Sequence, residues 1–216
     1  MTIEPRCTAG VLLFAVAASL TASQGVSGAE HKTKIYQVGA SFLSAPQGDN
    51  VPFAEEGIGF TLEFLYSPVP WTAAGVEFGW HTAGFDRDAF FDEIGGGYDD
   101  KLSTSSYTMF EWAFMVRVEP AAWGQWHPFF SGGISLMSWH EEYSYTDLSW
   151  GPWFPSGTLV EADQSVNAPA WVAGGGIGYE SQSGVGFFVE AQELFASGEE
   201  IDGRWTRLRG GISFRR

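Results

Sequence analysis

Residues 57–66 read GIGFTLEFLY, in which the even positions are all large and apolar. In an extended chain, successive side chains point to opposite faces. Ile58, Phe60, Leu62, Phe64 and Tyr66 therefore share one face, and Gly57, Gly59, Thr61 and Glu63 share the other. This period of two predicts a β-strand with one apolar and one polar face.

The same alternation recurs in seven other segments. Their apolar faces carry Tyr36, Val38, Ala40 and Phe42; Ala74, Val76, Phe78 and Trp80; Phe110, Trp112, Phe114, Val116 and Val118; Phe130, Ile134 and Leu136; Ala173, Ile177 and Tyr179; Val185, Phe187, Val189 and Ala191; and Leu208, Ile212 and Phe214. After residue 34, no segment shows the apolar spacing of a helix over three turns. The sequence therefore predicts an all-β fold of eight strands.

The linkers between these segments alternate in length. Long linkers cover about 44–56, 85–106, 141–167 and 197–203, and short ones cover 67–71, 119–126 and 181–184. Bacterial transmembrane barrels have short turns at one end and long loops at the other. We therefore predict an eight-stranded antiparallel up-and-down transmembrane β-barrel over residues 30–216.

The size of the side chains indicates which face of the sheet is outside. A water-soluble barrel, the alternative, places its bulky apolar face inside. Here the polar face is rich in Gly, Ser and Ala, which suits the narrow interior of eight strands. The apolar face carries Trp, Phe, Tyr, Leu and Ile, which suits lipid. We expect the apolar face outside.

Residues 1–29 have the features of a cleaved export signal. Arg6 precedes a short apolar run over 9–20, and Ser27 and Ala29 provide small residues before Glu30. A retained membrane anchor is the alternative, but the run is short for a span of about 20 residues. Cleavage after Ala29 also removes Cys7, the single cysteine of the chain.

The charge of the chain limits its partners. The formal net charge is −15, and binding to nucleic acid needs clustered cations, so we expect no nucleic-acid partner. The four long linkers hold 17 acidic residues, with only Arg87 and Lys101 as cations. Lys32, Lys34, Arg215 and Arg216 lie near the two ends of the mature chain. The barrel is therefore expected to be negative at its long-loop end, where we expect divalent cations to bridge it to the phosphates of neighbouring lipid headgroups.

The odd or even position of a residue along its strand (its parity) gives the face on which it lies, and it also predicts a polar network in the lumen. Its expected members are Glu63, Glu77, Glu111, Arg117, Glu180, Glu190, Arg207 and Arg209. A tight turn at 67–70 would place Glu63 opposite Glu77, and like charges so placed need a cation between them. Arginine can supply it, because its planar fork binds carboxylates at fixed geometry. We expect a salt-bridged plug centred on Arg207 and Arg209.

Catalytic, metal and cofactor sites are not indicated. His81 and His140 are candidates for a rim active site, but polar residues at strand ends are the plainer interpretation. The acidic stretch 86–100 lacks the order of a calcium loop, and its three glycines lack the following Lys of a phosphate loop. Trp150, Trp153 and Phe154 are candidates for a loop contact surface, because exposed aromatics often meet a partner. A loop that packs on itself is the alternative.

Three segments resemble the small eight-stranded outer-membrane barrels of Gram-negative bacteria, of the OmpA-like and opacity-protein type. They are His127 to Ile134, Gly174 to Tyr179, and Leu208 to Phe214. The resemblance implies a porin-like barrel in the outer membrane, in contact with its lipid, lipopolysaccharide and the barrel assembly machinery. Phe214 resembles the terminal aromatic of an assembly signal, but Arg215 and Arg216 follow it.

The function expected is structural or surface-interacting, with no enzyme activity and no cofactor. The alternatives are a small porin-like channel and a rim-located lipid A-modifying enzyme.

Overall fold

The computed structural model describes residues 33–47, 54–93, 102–120, 122–150, 155–198 and 202–216. They contain eight strands and one short helix: β1 Thr33–Leu43, β2 Ala54–Val69, β3 Thr72–Phe85, α1 Arg87–Glu93, β4 Leu102–Val118, β5 Trp126–Trp150, β6 Pro155–Glu180, β7 Val185–Ser197 and β8 Asp202–Arg215. Each strand pairs antiparallel with the next, and β1 pairs with β8 to close the barrel. The predicted eight-stranded antiparallel fold is confirmed. The predicted signal, residues 1–29, lies outside the described residues.

The apolar faces of the strands point outward. Ile58 is 68% exposed and Trp112 is 63% exposed, far above the usual exposure of such side chains in a soluble protein. The inward faces are crowded. A Cβ atom on Gly75 would lie 1.9 Å from the carbonyl oxygen of Phe64, and one on Gly211 would lie 2.0 Å from that of Val38. Glycine therefore allows the strands to curl tightly around a narrow interior.

The apolar side of the sheet changes from outside to inside near the long-loop end. We call the lower, outward-apolar part of the wall the apolar belt. Beyond it, Thr82, Thr108 and His140 point outward, while Tyr107 and Trp139 point inward and are buried. Alternation with a period of two continues, but its phase is inverted. A face that meets water has to be polar, so the inversion marks the edge of the belt.

Strands β5 and β6 continue far beyond the belt as one hairpin. Their ladder runs without a register shift from Trp126↔Tyr179 to Trp150↔Pro155. The prediction of a long linker over 141–167 is therefore wrong. The strands were predicted from apolar side chains that point outward. In this part of β5 the apolar side chains point inward, as those of Tyr143 and Tyr145 do.

The predicted linker over 85–106 also contains regular structure. Helix α1 begins after Asp86, whose carboxylate accepts a hydrogen bond from the Ala89 amide at 3.0 Å, as an N-cap residue does. Seven residues are too few to show as an apolar period in the sequence. In the described parts of the chain, no helix has the length and apolar character needed to span a membrane.

Glu193 departs from its apolar neighbours on β7. It points outward and is half-buried. Its carboxylate accepts hydrogen bonds from Arg204 Nε at 2.7 Å and Thr206 Oγ1 at 2.9 Å, both on β8. Glu193 is therefore part of a polar group at the upper edge of the belt, and the ladder around it is regular.

Candidate functional site

The barrel interior contains a layer of buried charged residues within the apolar belt. Seven side chains, all at most 4% exposed, form this charged layer: Glu63, Glu77, Glu111, Arg117, Glu190, Arg207 and Arg209. Four carboxylates thus meet three guanidinium groups. Glu63 lies directly opposite Glu77 in the ladder of β2 and β3, and Glu190 lies opposite Arg209 in that of β7 and β8. The parity of these residues places them on the inner face, and the length of the turn between their strands places them opposite each other.

Arg207 joins three strands. Its Nη2 contacts Glu77 Oε1 on β3, and its Nη1 lies 2.5 Å from Glu111 Oε2 on β4. Its Nε donates to the amide oxygen of Gln192 on β7 at 2.8 Å. A single guanidinium group therefore crosses the lumen and is held by two carboxylates and one amide.

Arg209 contacts three carboxylates. Its Nη1 lies 2.7 Å from Glu77 Oε2, and its Nη2 lies 3.1 Å from Glu63 Oε2 and 2.5 Å from Glu190 Oε2. Arg209 thus bridges the opposed pair Glu63 and Glu77, whose charges would otherwise repel across the ladder. The two contacts of Nη2 are charge-assisted hydrogen bonds, which are the strong class, and the contact of Nη1 with Glu77 is an ion pair.

Arg117 closes the side of the layer that faces the short turns. Its Nη2 donates to Glu63 Oε2 at 2.7 Å and to Gln37 Oε1 at 2.8 Å. The guanidinium carbon lies 4.1 Å from the centre of the Phe129 ring, a cation–π contact. Below it, a cavity of about 20 Å³ has room for about one water molecule.

Sequence reasoning missed several neutral members of this layer. Gln37, Ser131 and Gln192 are buried beside the charges, and Ser131 and Gln192 both donate to Glu190. Phe129 provides the ring under Arg117. All four lie on inward-facing positions, so the parity that identified the charged residues could also have identified them.

Glu180 lies outside the charged layer. At the short-turn mouth, its Oε2 is 3.1 Å from Arg215 Nε and 3.6 Å from His127 Nε2. Arg215 Nη2 also donates to Glu119 at 2.6 Å. Among the described residues, no ion pair links Glu180 to an arginine of the charged layer. The sequence prediction included Glu180 in that network, but β6 crosses the level of the layer near Gly176, opposite Glu190, and Glu180 lies four residues further on, at the mouth.

A second layer fills the interior beyond the charged one. It consists of aromatic side chains, and we call it the aromatic layer: Phe85, Phe90, Tyr107, Trp139, Tyr143, Tyr145 and Trp205. Phe90 of α1 packs 5.4 Å from Tyr143 and 5.5 Å from Tyr145 between ring centres. Trp139 and Trp205 are 5.9 Å apart, and Trp205 is fully buried. The helix thus adds an aromatic ring to the interior of the long-loop end.

Tyr107 and Glu141 connect this layer to the solvent beyond the belt. The Tyr107 hydroxyl donates to Glu141 Oε1 at 2.9 Å. Burial raises the pKa of the Glu141 carboxyl, although the hydrogen bond from Tyr107 opposes this shift. Burial, followed by the nearby Glu141 charge, raises the pKa of the Tyr107 hydroxyl well above its usual range. Tyr107 therefore stays a hydrogen-bond donor at any physiological pH.

Neither candidate histidine has the geometry of a catalytic triad. His81 is buried inside the barrel, with Nε2 2.8 Å from Ser41 Oγ. His140 points outward, and its Nδ1 faces both Ser165 Oγ at 2.9 Å and Asp163 Oδ1 at 3.6 Å. A triad uses one ring nitrogen for the nucleophile and the other for the acid. At His140 the serine and the acid contact the same nitrogen, and at His81 the second nitrogen, Nδ1, has no hydrogen-bond partner among the described residues.

Two further sequence expectations concern loops and metals. Trp153 and Phe154 lie outside the described residues, and of Trp150 only the backbone is described, at the end of β5. Across the described ranges, no three His, Asp or Glu side chains are placed to hold a metal ion.

The comparisons with known proteins rest on structure alone. No protein-family model and no curated protein matches the chain. Neisserial surface protein A superposes with a TM-score of 0.53 at 11% identity, covering 87% of this chain and 99% of that one. This chain has the fold of the small eight-stranded outer-membrane barrels. A major outer membrane protein of Thermus thermophilus gives 0.53 at 12% identity, covering 86% and 100% of the two chains.

The attachment invasion locus protein of Yersinia pestis, Ail, gives a TM-score of 0.51 at 11% identity, covering 86% of this chain and 99% of that one. Identities this low establish the shared fold and carry no residue of a functional site across. The charged and aromatic layers are therefore interpreted from their own geometry.

Proposed function

We propose that this barrel is an integral outer-membrane protein that conducts no ions and acts through its outer surface. Residues 1–29 are removed on export, the short turns face the periplasm and the long loops face outside. The observation that carries the proposal is the double filling of the interior. Arg207 and Arg209 join strands β2, β3, β4 and β7 across the lumen, and Trp139 and Trp205 pack above them.

The two layers oppose ion flow by different physics. The charged layer fills its cross-section with side chains that hold one another in charge-assisted bonds. The aromatic layer has no charges to replace the hydration shell of an ion. Of the two alternatives, the channel is disfavoured by this filling. The rim enzyme is disfavoured because His140 contacts serine and acid through one nitrogen.

Lipid and lipopolysaccharide are the proposed lateral partners, and the barrel assembly machinery inserts the chain. Outward-facing Glu193 and Arg204 lie at the upper edge of the apolar belt, where lipid headgroups are expected. The acidic long loops would bind headgroup phosphates through divalent cations.

Planar-bilayer recordings test the proposal. The purified, inserted barrel should show little or no steady conductance at any polarity. Cell fractionation should recover it in the outer membrane, with an N-terminus at or near Glu30. Large, stable channels would show that the lumen is a pore, and recovery of Met1 would show that the signal is retained.

A further inference from the structure

The hairpin of β5 and β6 carries a strand edge that the other described strands leave open. β7 pairs with β6 only as far as Ala170↔Ala196, whereas β6 pairs with β5 down to Pro155. In the described parts of the chain, no strand pairs with the outer side of β6 before Ala170. About fifteen residues of β6 therefore form a sheet edge beyond the belt.

The ladder of β6 and β7 stops where β7 ends, because its last residue, Ser197, is in register with Pro169. The backbone amide of Glu180 donates a hydrogen bond to the carbonyl oxygen of Gln125, on the β5 side of β6. The register of β5 and β6 has no shift along the whole ladder. The backbone N–H and C=O groups of the even-numbered residues of β6 therefore point toward β5. Odd positions direct theirs to the β7 side. Pro169 is odd and has no N–H to give to β7. Beyond it, the backbone groups of Asp163, Ser165 and Asn167 face the open side.

The open edge of β6 is supported by the two strands on its other side, β5 and β4. β4 pairs with β5 as far as Leu102↔Tyr145, which makes a three-stranded sheet with β6 at its margin. On the inner face of this sheet, Tyr143, Tyr145 and Val166 pack against the buried core of the aromatic layer. The edge is therefore a preformed template, and a partner strand would not have to order it first.

The charges around the edge indicate what fits it. Natural edge strands are often protected by lysine, but β5 and β6 together contain no Lys or Arg. Glu142, Glu161 and Asp163 are exposed on this sheet. A second copy of a chain with net charge −15 would be repelled, and a cationic strand would be attracted.

We propose that residues 157–167 of β6 bind an extended cationic polypeptide segment by adding it as a further antiparallel strand. Backbone hydrogen bonds to the odd positions give the affinity, and the carboxylates give the preference for Lys and Arg. This inference rests on the proposed outer-surface function and names the class of partner. It does not depend on a closed lumen.

Fluorescence anisotropy on the barrel in lipid nanodiscs tests this directly. The probe is a labelled ten-residue peptide of alternating Lys and Thr. One control peptide replaces Lys by Glu, and another carries N-methyl groups on alternate residues, which removes the donors of one edge. We expect the Lys peptide to bind, and the Glu peptide and the N-methylated peptide to bind at least about tenfold more weakly.

Paired variants locate the site. Ser165→Pro with Asn167→Pro removes two edge donors and no bond to β5, and should weaken binding about tenfold. Ser165→Ala with Asn167→Ala keeps both donors and should change affinity less than about twofold. Gel mobility before and after boiling checks that each variant is folded. If the proline pair does not fold, the N-methylated peptide still decides the point on the unmodified barrel.

Equal binding of the N-methylated peptide, or unchanged binding by a folded proline pair, would overturn the proposal. So would proline-sensitive dimers in sedimentation experiments, since these would make a second copy the occupant. A conducting barrel that binds the Lys peptide through this edge would contradict only the closed lumen.

Discussion

The two interior layers of the barrel close the same lumen with opposite chemistry. In the charged layer, Arg207 and Arg209 each contact two or three carboxylates that are buried in the lumen. In the aromatic layer, Trp205 and its neighbours pack as in the core of a soluble protein. The first layer depends on every partner being present, whereas the second depends on volume. Mutations should therefore act differently in the two layers.

The largest loss of stability is expected from Arg207→Ala with Arg209→Ala. The change leaves four buried carboxylates with Arg117 alone, and breaking a buried pair costs about 3–5 kcal/mol. Urea unfolding in lipid, followed by tryptophan fluorescence, measures it. Adding Glu77→Gln and Glu190→Gln should recover part of the loss. No recovery would mean that unpaired charge is not its cause.

Trp205→Ala should have the next largest effect. It leaves a cavity in the aromatic layer, and such a change costs about 3–5 kcal/mol. Trp205→Phe fills most of that volume and is the matched control. In bilayer recordings, neither Trp205→Ala nor the arginine pair alone should give steady conductance, because the other layer remains. All three changes together should open a leak, and a leak in either variant alone would show that one layer does all the blocking.

A smaller, pH-dependent effect is expected from Glu141. Because burial raises the pKa of its carboxyl above the ordinary 4.5, the folded chain binds this proton more tightly than the unfolded chain. The resulting stabilisation is complete below pH 4.5 and is lost as the pH rises through the raised pKa. Glu141→Gln keeps an acceptor for Tyr107 and should flatten this part of the stability profile. If the slope of stability against pH is unchanged in this variant, other groups cause this part of the profile.

The smallest effect is expected from the outward pair of Glu193 and Arg204. The Arg204 side chain is half exposed, and exposed ion pairs contribute about 0–1 kcal/mol. Arg204→Ala should therefore barely change the free energy of unfolding, which also makes it the matched control for the buried arginines. A loss of unfolding free energy as large as that of Arg209→Ala would show that burial does not determine how much an ion pair contributes to stability.

The sequence predicts the strands and the charged layer because one rule governs both. Lipid outside and a narrow interior force alternation with a fixed phase, so Glu63, Glu77 and Arg209 could be placed by counting positions. The same rule fails beyond the belt. There Tyr143 and Tyr145 keep the alternation but reverse its phase, so a rule based on outward apolar residues predicts a loop for the outer half of β5.

The aromatic layer escapes sequence reasoning for a related reason. Trp139 and Trp205 lie just beyond segments that are identified by their outward residues, and α1 brings Phe90 to them from a distant part of the chain. Such contacts depend on the path of a connection, which periodicity does not describe. Glu180 was assigned to the charged layer because parity gives the face on which a residue lies. Parity does not give the depth of that residue in the barrel.

The phase inversion also fixes how thick a membrane the protein fits. On β4, the outward apolar residues run from Phe110 to Val118. At a rise of about 3.4 Å per residue and a tilt of about 40°, these eight steps span about 20 Å along the barrel axis. This is less than the roughly 30 Å of hydrocarbon in an average bilayer. A bilayer of average thickness would therefore have to thin around the barrel, whereas a membrane that is already thinner, as the bacterial outer membrane is, would have to thin less.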